Sequence, residues 1–534
     1  MRVLVPTTTD PRMQRNPLPS PLPSEREREQ DAEDRFETWR MRVGLVLAPL
    51  AFAITYFLVD LDDRARRLSA ILASIAVLWV SELLPLPVTA LLGAVLCILL
   101  GVAPAKQVLA YFADPIVFLF IGSFMLARAM TVHRLDRRIA LGFLSIDWIA
   151  AHPARMLAGL GAVTALISMW VSNTATTAMM LPIALGVLGA LHQVRVTSGR
   201  TSGSMDARTW PFATGTMLMI AYAASIGGIG TKVGSPPNLI GVSLIRNATG
   251  VEISFFGWMA LCVPLMLVMG VALFLLLYKL HPWRDAAEAG SIDDYIGRER
   301  AMLGPISRAE VNTLFAFGVA VGLWVLPGVL ALPIWGDGAS AAGRWLNDRL
   351  PEAVVALVAA ILLFVLPVDL KRGRFTLSWD EAVRIDWGTI LLFGGGLALG
   401  TLMFETGVAH AMGRALTSKL GVQSLWALTA VSIALGIILS EATSNTAAAN
   451  MVIPVVIGIA QSANVSPIPP ALGACLGASY GFMLPVSTPP NAIVYGSGLV
   501  SIPSMVRAGV VFDIIGFVII WAGLRVLCPV LGLM

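Results

Sequence analysis

Apolar residues run along this chain in blocks separated by short polar or charged connections, from Val43 to the C-terminus. About 20 such residues suffice to cross a bilayer as a helix. The blocks fall at 43–59, 68–82, 86–102, 115–131, 212–229, 237–248, 255–280, 312–333, 353–368, 387–404, 470–486, 489–499 and 508–531. Two further stretches, 155–192 and 424–462, are too long for one crossing and are interrupted near their centres by polar residues. Each reads as a re-entrant helical hairpin. The pairs 212–229 with 237–248, and 470–486 with 489–499, each read as one crossing unwound at a Pro-Pro-Asn break. The pattern predicts an all-α polytopic membrane protein with about 11 transmembrane helices and two re-entrant hairpins.

The interruptions are not random. Ser172-Asn173-Thr174 and Ser444-Asn445-Thr446 sit in the two hairpins, each with a serine four residues upstream, Ser168 and Ser440. Downstream of each comes a second break, Gly234-Ser235-Pro236-Pro237-Asn238 and Ser487-Thr488-Pro489-Pro490-Asn491. Polar side chains and helix breaks at membrane depth are costly unless they line a cavity or hold a ligand. The repeat is longer than these strings: IVFLFIGSFMLARAM from Ile116 parallels TILLFGGGLALGTLM from Thr389, an offset of 273, and the Ser-Asn-Thr strings are offset by 272. An odd number of crossings between equivalent segments makes the two copies inverted. The expected organisation is a polar cytoplasmic tail (1–42), a first spanning segment with its connection (43–67), a first repeat (68–280) and a cytoplasmic linker (281–311). A second repeat (312–534) completes it.

Arginine placement orients this plan. The tail, 132–154, 193–211, 281–311 and 369–386 are arginine-rich and are placed in the cytoplasm; 334–352 carries Arg344 and Arg349 offset by acids and is placed outside. Arg64, Arg66 and Arg67 are the outliers, facing outside beside Asp60, Asp62 and Asp63. The N-terminus is then inside and the C-terminus outside. Arginine-rich composition hints at a bacterial inner membrane.

Composition narrows the function. The 534 residues are 57% hydrophobic and 13% charged, about half the charged share of a soluble chain. The net charge of +4 is accounted for by cytoplasmic loops and does not point to nucleic acid. No signal peptide opens the chain, and residues 1–42 have the composition of a solvated, flexible or weakly helical tail. Cys97, Cys262, Cys475 and Cys528 stand singly in apolar runs, with neither disulfide nor zinc spacing. The five histidines fall at segment ends, and no nucleophile, base and metal set suited to a membrane-embedded enzyme is found.

At a hairpin tip or helix break the terminal N–H groups attract anions and the freed carbonyls attract cations. Asn and Thr add neutral donors and acceptors. Two tips facing each other suit an anion charged at both ends, such as a C4-dicarboxylate. Sodium, a hard cation, wants several oxygen ligands. One set converges from Ser168, Ser172, Asn173 and Gly234, and its mirror from Ser440, Thr443, Asn445 and Ser487. Glu82 and Glu441 are intramembrane acids, read as braces through ion pairs or hydrogen bonds.

The strings WVSNTATTAMMLPIA from Trp170, GGIGTKVGSPPNLIG from Gly227, EATSNTAAANMVIPV from Glu441 and GFMLPVSTPPNAIVYGSG from Gly481 resemble the divalent-anion/sodium symporter family. LWVSELLPLPVTALL from Leu78 resembles its early signature, so the likeness runs from about Arg42 to the end. It implies a Na⁺-coupled secondary transporter, dimeric, moving its substrate by an elevator step. It also implies that Ser172, Asn173 and Thr174 hold one carboxylate and Ser444, Asn445 and Thr446 the other, with Ser235-Pro236 and Thr488-Pro489 closing the pocket. Citrate, sulfate or arsenite in place of succinate, malate or fumarate, and Na⁺-independent exchange, are the alternatives. The chain departs from the family pattern at Lys232, where an apolar residue or proline is usual. A tethered ammonium there would replace one Na⁺ or touch substrate; the other reading is a lysine snorkelling to the cytoplasmic interface.

Overall fold

The computed structural model describes residues 25–197, 210–282, 290–332, 334, 336–420 and 424–534. It is an all-α polytopic membrane protein, with one short antiparallel pairing of Pro367–Asp369 and Arg374–Phe375. Eight of its described helices are long and apolar enough to cross a membrane, and four shorter apolar helices of 10–17 residues accompany them. On Phe255–Leu280 the exposed residues Leu267, Val271 and Leu275 follow one another four apart, giving an apolar stripe turned away from the core toward lipid.

Helix starts coincide with the polar interruptions. Four residues separate Pro153–Ser168 from Asn173–Thr197, and two separate Leu425–Ala442 from Asn445–Ser462. The serines cap the second helix of each pair: Ser172 Oγ accepts from Ala175 N–H at 3.3 Å and Ser444 Oγ from Ala447 N–H at 3.2 Å. The unwound segments follow the same logic. Pro211–Gly228 resumes as Pro236–Thr249, and Ile468–Gly477 resumes as Pro489–Gly496, with proline at the first helical position, where no N–H is needed.

Close helix contacts rest on glycine in both halves. A Cβ on Gly122 would lie 2.6 Å from the Ala356 backbone, and one on Gly395 would lie 2.7 Å from the Ala90 side chain. Pro115–Val132 thus seats on Glu352–Val365, and Trp387–Glu405 on Leu86–Leu99.

Several stretches expected as loops or tail are helical. The first helix runs from Glu25 to Leu58, so residues 25–42 of the flexible or weakly helical tail are helical and continue into the first apolar segment, while 1–24 lie outside the described residues. Helices Leu135–Leu144 and Val408–Leu420 are amphipathic, and their starts are again 273 residues apart. Gly290–Leu303 occupies the linker, and Gly336–Arg349 the connection before Glu352. The outlying arginines have local partners: Arg64 Nε donates to Val102 O and Arg67 Nη1 to Leu100 O, both at 2.9 Å, while Arg66 pairs with Asp63. They satisfy carbonyls at the end of Leu86–Leu99, the end of a helix that favours cations.

Candidate substrate cavity and cation sites

One cavity of about 620 Å³ gathers all four polar breaks. Ser172, Asn173 and Thr174 face it from one hairpin and Ser444, Asn445 and Thr446 from the other, with Ser235, Pro236, Thr488 and Pro489 completing the wall. Six described helices begin at this wall: Leu86–Leu99, Asn173–Thr197, Pro236–Thr249, Trp387–Glu405, Asn445–Ser462 and Pro489–Gly496. Each helix start presents about half a positive charge in unsatisfied N–H groups. The cavity therefore attracts anions without a fixed charge at either tip.

Behind each tip, oxygens crowd together. Ser168 Oγ lies 2.8 Å from Asn173 Oδ1. A Cβ on Gly234 would sit 2.6 Å from Gly228 O, 2.9 Å from Met169 O and 3.0 Å from Ser168 O, so this glycine leaves open a cradle of three carbonyls. On the other side Ser440 Oγ lies 2.7 Å from Asn445 Oδ1 and 2.8 Å from Ala478 O, one hydroxyl proton among three oxygens. Ser487 Oγ donates to Glu441 Oε2 at 2.6 Å, keeping its lone pairs free. Thr443 is turned aside, its hydroxyl donating to Trp79 O at 3.1 Å. Both oxygen sets fit a hard monovalent cation.

Asn238 and Asn491, the last residues of the two Pro-Pro-Asn strings, hold the breaks in shape. Asn238 Nδ2 donates to Gly228 O (2.8 Å) and Thr231 O (2.7 Å); Asn491 Nδ2 donates to Gly481 O and Leu484 O, each at 3.0 Å. Both residues are fully buried, and the Oδ1 of each has no hydrogen-bond donor among the described residues. Their recurrence at one place in both Pro-Pro-Asn strings was the available signal. The acids brace, as their positions suggested. Glu441 accepts from Phe482 N–H (2.5 Å) and Met483 N–H (2.9 Å), and Glu82 pairs with Arg40 at 2.9 Å.

Lys232 follows neither expectation. It does not line this cavity, and at 2% exposure its side chain is buried and does not extend to the surface. Its ammonium donates to both oxygens of Glu352, at 2.8 and 2.7 Å, and Glu352 also accepts from Phe255 N–H at 2.6 Å. The pair borders a separate cavity of about 190 Å³, beside Arg246 and Glu252. A carboxylate 120 residues away in sequence meets the charge that was expected to seek a cation site or the interface.

Comparison with known proteins places these features in a wider group. Residues 38–533 match the family described as the sodium:sulfate symporter transmembrane region. The chain is 33% identical over 496 residues to a sodium-dependent dicarboxylate transporter, SdcS, of Staphylococcus saprophyticus, covering 92% of each chain. It is 35% identical over 481 residues to an uncharacterized transporter of Haemophilus influenzae, covering 89% of this chain and 94% of the other. Among solved structures, the YdaH transporter of Alcanivorax borkumensis is similar in fold at a TM-score of 0.50 and 13% identity. That match covers 79% of this chain and 87% of the other.

Proposed function

We propose, from the premise that the chain belongs to the sodium:sulfate symporter family, that it is a Na⁺-coupled secondary transporter of C4-dicarboxylates such as succinate, malate and fumarate. The observation that carries this reading is the pair of like tips in one cavity, each a helix start bearing Ser, Asn and Thr. One carboxylate is held by Ser172, Asn173 and Thr174, the other by Ser444, Asn445 and Thr446. Two such tips suit an elongated dianion better than compact sulfate, although sulfate is the anion in the family's description. The relatives described as sodium-dependent dicarboxylate transporters support the same choice.

Sodium is co-substrate here. Its first site is formed by Ser168, Ser172, Asn173 and the carbonyls about Gly234. Its second is formed by Ser440, Asn445 and Ser487, with Thr443 at its margin because its hydroxyl donates to Trp79 O. Because Asn173 and Asn445 stand between cation oxygens and cavity, bound Na⁺ fixes the amide that meets the anion and lowers the cost of gathering negative charge. We further propose that the two halves are inverted repeats with eleven crossings, that the protein is a homodimer in a bacterial inner membrane, and that an elevator step exposes the cavity alternately. Lys232 lies outside both cation sets, which favours Na⁺ coupling over Na⁺-independent exchange.

Proteoliposomes test this reading. An inward Na⁺ gradient is expected to drive accumulation of radiolabelled succinate, and replacing Na⁺ by K⁺ to abolish it. Equal uptake in both salts would overturn Na⁺ coupling, and sulfate uptake without succinate uptake would overturn the substrate.

A further inference from the structure

The cavity is not symmetric. Beside its repeated tips, three charged side chains line it among the described residues: Arg128, Arg384 and Asp386. Asp386 caps Trp387–Glu405, accepting from Thr389 N–H at 3.0 Å and from Thr389 Oγ1 at 2.5 Å, so its charge is engaged locally. Arg128 is half-buried on Pro115–Val132, and its Nε donates to a backbone oxygen, Glu381 O, at 3.3 Å. The nearby Glu381 carboxylate accepts from Ser378 N–H and Oγ–H at 3.0 and 2.7 Å, and these bonds, with smaller contributions from the charges of His133 and Arg128, hold its pKa below the usual carboxylate value. Arg384 is exposed on the loop between Trp379–Ala382 and Trp387–Glu405. Neither guanidinium makes an ion pair among the described residues.

Arg128 has no charged counterpart in the second repeat. The repeat offset of 273 places Thr401 opposite Arg128, and Thr401 Oγ1 accepts from Asn247 Nδ2 at 3.1 Å. Two guanidinium groups, neither in an ion pair among the described residues, therefore line a cavity that also carries the capped carboxylate of Asp386 and whose two tips bear no fixed charge. Planar guanidinium is well matched to carboxylate, offering paired N–H donors in a fixed fork. A dianion spanning the tips has no third charge to meet these groups; an anion with a third carboxylate has.

We propose that Arg128 and Arg384 form a third anion subsite, which binds the additional carboxylate of a small tricarboxylate whose other two occupy the tips. The proposal rests on the dicarboxylate reading of the tips and extends it to substrate selectivity. Arg128 anchors the third group because its position on a helix fixes it; Arg384 adds field strength from the loop.

The test compares wild type with Arg128→Gln, Arg384→Gln and Arg128→Lys in proteoliposomes, using succinate uptake inhibited by citrate or by unlabelled succinate. Arg128→Gln is expected to weaken citrate inhibition at least about tenfold more than succinate inhibition, in the range of a charge-assisted hydrogen bond. Arg384→Gln should shift the same ratio by less, and Arg128→Lys should restore part of it. Equal weakening of both inhibitors would mean general attraction of anions and would overturn the subsite, as would no shift in either. Thermal stabilisation of detergent-solubilised protein by citrate, measured on the same variants, gives an independent readout. If wild type takes up no succinate, the dicarboxylate reading fails, while citrate stabilisation lost in Arg128→Gln alone would still support an anion site at these arginines.

Discussion

Gly234 shows how much one missing carbon matters. A Cβ there would crowd three carbonyl oxygens and occupy the space a cation needs. Gly234→Ala is expected to raise the Na⁺ concentration for half-maximal uptake by at least about tenfold, the scale on which altered metal surroundings act. Gly142→Ala, where a new Cβ meets nothing within 4 Å, serves as the control. Uptake measured against Na⁺ concentration decides it; superimposable curves for Gly234→Ala and wild type would remove this cradle from the ion site. The tip residues were legible in the sequence because their chemistry is out of place in an apolar run and occurs twice. Arg128 was not, since a single arginine inside an apolar block gives no sign of which way it turns. Asp513 was missed for the same reason: it is 6% exposed within Ile502–Val530, where its carboxyl neighbours that of Glu441.

Among elements, the unwound segment at 229–235 is held by partners far away in sequence. The Lys232–Glu352 pair ties it to Glu352–Val365, and Arg246–Asp114, at 2.9 Å, ties the following helix to the start of Pro115–Val132. Removing one member of a buried pair leaves the other charge unpaired, which costs about 3–5 kcal/mol, whereas replacing both by apolar groups is often neutral. Glu352→Gln should therefore lower unfolding stability in detergent by roughly that amount, and Lys232→Met with Glu352→Met should recover most of it. Unfolding curves that coincide for Glu352→Gln and wild type would show that the pair is not a structural tie. Sequence revealed the breaks themselves, because Pro-Pro and glycine dictate local backbone, but not what braces them, because such partners are set by packing. The amphipathic helices Leu135–Leu144 and Val408–Leu420 were missed for a related reason: 10 and 13 residues with a polar face look like loops beside blocks of 20.

At the scale of the whole molecule, the arrangement we propose from the arginine distribution has the linker 281–311 inside and the C-terminus outside. All four native cysteines are buried, so a membrane-impermeant thiol reagent should find little background. A cysteine replacing the exposed Arg298 should stay unlabelled in intact cells and react after permeabilisation, while one added after Met534 should react in both. The reverse pattern would invert the topology. The central claim is that the two hairpin tips act together on one dianion, and Asn173 and Asn445 test it most directly, since each joins a cation oxygen cluster to the cavity. Na⁺-driven succinate uptake should be abolished by Asn173→Ala and by Asn445→Ala separately, in protein that elutes from size exclusion as wild type does; uptake at the wild-type rate in either variant would contradict a two-tip site.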